Sequence, residues 1–109
     1  MKQDPLHLPQ KPSPQDFQKY VADMMAHRGF DSTDIMGQFL QFTEEVGELA
    51  KAIRKAEGRR FDRASHVGGV NEELADIFMY LLYFCNYFDI DLEQAFREKE
   101  AINKKRVWK

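Results

Sequence analysis

The chain has 109 residues, 43% of them apolar, which is enough for one folded domain around one core. Its 16 basic and 18 acidic residues leave a net charge of −2, so there is no electrostatic reason to expect nucleic acid or a membrane surface as partner. A single cysteine excludes an internal disulfide framework, and the longest nearly apolar run, residues 77–85, falls far short of the roughly 20 residues a membrane helix needs.

Residues 1–12 carry Pro5, Pro9 and Pro12 and read as an extended arm outside the regular fold. They contain no apolar signal region, and with the cysteine count this gives the expectation of a cytoplasmic protein. The folded domain is expected over residues 13–109. Ser13-Pro14 is a helix start, with Ser as N-cap and Pro at the first helical position. Phe17, Tyr20, Val21, Met24 and Met25 then recur at helical spacing on one face, and Gly29 stops the helix.

Ser32, Thr33 and Asp34 offer N-caps for a second helix that runs to about Glu57, before Gly58. Phe39, Phe42, Val46, Leu49 and Ile53 form its expected core stripe. Gln41, Glu44, Glu48, Lys51 and Lys55 form a polar stripe, with Glu45 at its border. Contacts from Glu48 to Lys51 would make part of that stripe an ordinary solvated face. They cover the Glu44/Glu45/Glu48 cluster poorly, because nothing basic lies one turn before it. Gly47 costs about 1 kcal/mol against Ala in mid-helix, and a close helix approach there would account for it.

Residues 58–70 form a basic loop with Arg59, Arg60, Arg63 and His66, suited either to meeting phosphate oxygens or simply to solubility. Asn71 is the expected cap of a third helix, with Glu72 and Glu73 favoured in its first turn by the helix dipole. From Leu74 to Cys85 this helix is apolar nearly all round, so part of it is expected to face a second subunit, giving a dimer or a dimer-based tetramer. Tyr80 lies one turn after Asp76, with either a phosphate or core packing within reach of its ring and hydroxyl. Asp91 is the expected cap of a fourth helix, with Gln94 as its capping-box partner. Lys99, Asn103 and Arg106 share one face of that helix and can hold a phosphate or a sugar, or form a solvated surface. The fold class is therefore all-α, with four helices.

Two acidic stretches organise the whole. Glu44-Glu45-Val46-Gly47-Glu48 and Glu73-Leu74-Ala75-Asp76 each place carboxylates three residues apart, hence as neighbours on one helix face. Like charges so placed weaken an isolated helix. If the two helices pack antiparallel, four carboxylates converge, and a hard divalent cation with oxygen ligands is the natural occupant.

The pattern Glu-Glu-x-x-Glu, a spacer of residues 49–72, then Glu-x-x-Asp, followed by an apolar run, Asp89-Ile-Asp-Leu-Glu, Lys99 and Asn103, resembles the MazG-type nucleotide pyrophosphohydrolases of the all-α NTP pyrophosphatase superfamily. The resemblance spans roughly residues 14–108 and implies a four-helix MazG-like bundle. It implies Mg²⁺-dependent cleavage of nucleoside triphosphates between the α- and β-phosphates, for nucleotide-pool house-cleaning, with Mn²⁺ as an alternative ion. Glu45, Glu48, Glu73 and Asp76 are then the metal ligands. Glu44 and Glu45 are the expected catalytic carboxylates; the resemblance favours substrate contact for Lys99 and Asn103, and Lys51, Tyr80 and Arg106 are expected to join them. The family often ends its last helix in Tyr-Pro, whereas here that helix is expected to end in Arg106-Val107-Trp108. Two alternatives remain: a phosphoribosyl-ATP pyrophosphohydrolase, which uses a similar motif, and a helical oligomerisation or regulatory module without catalysis.

Overall fold

The computed structural model describes residues 4–29, 34–58 and 68–106. These residues form four α-helices and, among them, no strand: α1 Pro14–Arg28, α2 Ile35–Ala56, α3 Val70–Tyr87 and α4 Leu92–Lys104. Residues 4–12 of the expected arm form neither helix nor strand. The basic stretch from Arg59 to His66, and Trp108, lie outside the described residues.

The helix ends follow from local chemistry. Ser13 Oγ accepts from the Asp16 amide at 3.1 Å, and Asp16 Oδ2 accepts from the Ser13 amide at 2.9 Å, a complete capping box. Gly29 closes α1 at φ 73°, the left-handed conformation that a residue without Cβ adopts at no steric cost. Asp34 caps α2 by accepting from the Gly37 amide at 3.0 Å. Asp91 caps α4 by accepting from the Gln94 amide at 3.0 Å. The reciprocal half of that capping box is not made, because the Gln94 side chain donates instead to Glu98 at 3.0 Å.

The start of α3 differs from expectation. Asn71 is not its cap but lies inside the helix, which begins at Val70 with the Gly69 carbonyl accepting from the Glu73 amide at 3.1 Å. The Gly-Gly pair allows the helix to start two residues earlier than Asn71 as cap would mark.

The chain divides into two compact units. One holds α1, α4 and the last turns of α3 from Leu82. Val21, Met24, Leu82 and Cys85 are buried there, and burial pushes the Cys85 thiol up, leaving it protonated and inert. A glutamine ties this unit together. Gln18 Nε2 donates to the Ile90 carbonyl at 2.8 Å, and Gln18 Oε1 accepts from the Leu92 amide at 2.9 Å. Asn86 Nδ2 in turn donates to the Gln18 carbonyl at 2.9 Å. One side chain thus satisfies backbone groups of the α3–α4 turn that a single helix end leaves unpaired. Asp89 in that turn takes φ 55°, and the Ile90 amide reaches back to the Cys85 carbonyl at 2.8 Å.

The other unit holds α2 and α3 up to Leu81. Phe42 packs on Tyr80 with ring centroids 6.0 Å apart, and Ala52 is buried. The expected core stripe of α2 is only partly covered: Phe39, Val46 and Ile53 remain 49%, 44% and 46% exposed. A Cβ added at Gly47 would meet no described atom within 4 Å, so the close approach expected there is not found.

Candidate metal centre

The second unit brings the two acidic stretches together. Glu45 projects from the middle of α2, while Glu73 and Asp76 project from the first two turns of α3. One carboxylate oxygen from each of these three residues lies within 4.8 Å of the other two. Glu45 is half-buried, Asp76 is exposed and Glu73 is 8% exposed. Glu73 Oε2 is buried and has no hydrogen-bond partner.

That combination is costly for a protein alone. A buried carboxylate oxygen without a partner loses its hydration with nothing in return. Burial pushes the Glu45 carboxyl up, as does a hydrogen bond to Glu73 that only a shared proton can make, and the charges of Asp76, Glu73 and Glu48 add to the effect. A divalent cation removes each of these costs at once. The donor set is all oxygen and carries no histidine or thiol, which suits a hard ion such as Mg²⁺ and disfavours a soft one.

The remaining expected site residues fall in different places. Glu48 stands outside the three-carboxylate group; its Oε1 lies 3.5 Å from Lys51 Nζ, although its charge is felt at Glu45. Glu44 is exposed on α2, and its charge, with those of Glu45 and Asp76, acts on Tyr80. Burial is the larger cause holding the Tyr80 hydroxyl up, so at neutral pH it is a phenol and a donor. It donates to Gln41 Oε1 at 3.2 Å. Lys99 and Arg106 are exposed and Asn103 is half-buried; all three belong to the unit that holds α4.

Gln41 is a residue that sequence reasoning left in the polar stripe without a role. The signal was available: Gln41 precedes Glu45 by four residues, as Tyr80 follows Asp76 by four, so both sit one turn from a clustered carboxylate.

The family model for the MazG nucleotide pyrophosphohydrolase domain matches residues 37–107, more than half of the chain. The match includes all three clustered carboxylates as well as Gln41 and Tyr80. No curated protein matches the chain.

Proposed function

The chain belongs to the MazG nucleotide pyrophosphohydrolase family, and from that premise we propose that it is a Mg²⁺-dependent enzyme that hydrolyses nucleoside triphosphates to the monophosphate and pyrophosphate. The observation that carries the reading is the three-carboxylate cluster with its buried, unpartnered Glu73 oxygen. Glu45, Glu73 and Asp76 hold the ion, with Glu48 beside them, and Mn²⁺ serves as a substitute of the same chemistry. A bound divalent cation supplies neutralisation of phosphate charge and acidifies water.

The chain's own residues supply the rest. Glu44 or Glu45 accepts the proton of the attacking water as its oxygen bonds to phosphorus and the bond to the pyrophosphate leaving group breaks. Tyr80, its ring packed on Phe42 and its hydroxyl held by Gln41, orients a polar substrate group beside the cluster. Lys51, three residues past Glu48, offers a cation to a phosphate oxygen once it exchanges the Glu48 carboxylate for substrate. Lys99 and Asn103 on α4, and Arg106 just after it, are the proposed contacts to phosphate or sugar from the other unit. The role that fits such a reaction is house-cleaning of the nucleotide pool.

Assembly belongs to the same proposal. Leu74 and Leu81 on α3 are more than 40% exposed, as are Phe39, Val46 and Ile53 on α2, and exposed large apolar side chains of this kind support an interface with a second copy. A dimer or dimer-based tetramer through α3 covers them. Among the described residues no helix is long and apolar enough to cross a membrane.

The test is a screen of the common ribo- and deoxyribonucleoside triphosphates with Mg²⁺, resolving pyrophosphate from orthophosphate. Pyrophosphate release from at least one supports the reading. Orthophosphate release, or no release from any, overturns it.

A further inference from the structure

Just before α3, the Glu73 carboxylate occupies the space where a side chain at Gly68 would begin. A Cβ built on Gly68 would lie 2.7 Å from Glu73 Oε1 and 2.9 Å from Glu72 Oε2. No carbon and oxygen rest that close without one of them moving. The Glu72 carboxylate is exposed and can swing aside. The Glu73 side chain is nine-tenths buried, and its two oxygens form one rigid group. Any displacement of Oε1 therefore also displaces Oε2, the buried oxygen without a partner.

We infer that Gly68 is a positioning residue for the metal centre: its missing side chain leaves the space in which the Glu73 carboxylate sits, and any larger residue there turns that carboxylate away from Glu45 and Asp76. The inference rests on the proposed metal site. Mg²⁺ tolerates little departure from octahedral geometry, so a ligand oxygen shifted by a few tenths of an ångström loses much of its value. Neighbours that only orient a ligand typically change metal affinity 10- to 100-fold when altered. Gly69 provides an internal comparison. A Cβ there would meet Asn71 Oδ1 at 2.7 Å, an equally tight contact in the same turn that involves none of the clustered carboxylates.

The experiment measures Mn²⁺ binding to the whole protein by the loss of the free-ion electron paramagnetic resonance signal, alongside metal-free melting temperature. Gly68→Ala is expected to weaken Mn²⁺ binding about tenfold or more while shifting the metal-free melting temperature by only a few degrees. Gly69→Ala is expected to bind Mn²⁺ within about twofold of the parent, since the methyl group it adds meets none of the clustered carboxylates. Adding Glu72→Ala to Gly68→Ala is expected to leave the loss in place. At saturating Mn²⁺ the Gly68→Ala enzyme should recover turnover, because its defect is in holding the ion. Parent-like binding in Gly68→Ala, an equal loss in Gly69→Ala, or restoration by Glu72→Ala would each overturn the inference while leaving the metal site standing. A parent that binds no Mn²⁺ would overturn the metal site itself. If Gly68→Ala does not fold, pairing it with Glu73→Asp, which withdraws the carboxylate by one methylene, must restore helical circular dichroism, and failure of that pair also overturns the inference.

Discussion

Glu45 on α2 and Glu73 on α3 bring carboxylate oxygens within 4.8 Å of each other, and Glu73 Oε2 is buried without a hydrogen-bond partner. The pair sets the pH behaviour of the metal-free protein. Burial, the hydrogen bond to Glu73 and the surrounding acidic charges raise the Glu45 carboxyl in the folded chain. The folded state therefore holds that proton more tightly than the unfolded state does. The stabilisation is fully present below the unfolded glutamate value and is lost as pH rises through the raised folded value. In a chelating buffer the parent should lose stability over that window, and Glu45→Gln should lose less of it. Melting temperature against pH for the two proteins checks this, and identical slopes would count against the coupling. With Mg²⁺ present the sign reverses, because the cation competes with the proton and binds better as pH rises.

Gly47→Ala should stabilise the protein by about 1 kcal/mol, the difference in helix propensity between the two residues. Nothing described in the single chain lies within 4 Å of the added methyl group. Denaturant titration reads the change. A loss of stability would mean that a partner subunit approaches α2 closely at this point.

The helices were largely legible in the sequence, for reasons that particular residues make plain. Ser13-Pro14, Asp34 and Asp91 are side chains that pair with the first free amides of a helix, and each marks a start found in the structure. Asn71 misled because Gly68-Gly69 has no side chain to advertise the turn it makes, so the polar residue after it looked like the cap. Phe39, Val46 and Ile53 show another limit: a stripe at helical spacing predicts that something will bury it, not that the same chain will. At the site, the three-residue spacing marked Glu45, Glu73 and Asp76, whose carboxylates come together, and equally Glu48, which stands outside that group. The approach of Gly68 to Glu73 was invisible, since it depends on where a loop backbone passes rather than on any residue type.

If a second copy covers the exposed apolar residues of α2 and α3, light scattering at micromolar concentration should give a mass of at least twice the 12.8 kDa chain. Leu74→Glu, placed at a position 50% exposed in the single chain, should shift that assembly towards the monomer. A parent that stays monomeric would remove the dimer from the account.

The most direct test of the central claim is the rate of pyrophosphate release from a nucleoside triphosphate at saturating Mg²⁺, compared between the parent and Asp76→Asn. The substitution keeps the size of the side chain and removes one negative oxygen ligand from the cluster. Asp76 is exposed, so the substitution disturbs no packed core. If the three carboxylates hold the catalytic ion, the parent releases pyrophosphate and the variant is slower by about 100-fold or more, because both the ion and the water it acidifies lose their placement. Equal rates in the two proteins would contradict the metal centre proposed for Glu45, Glu73 and Asp76.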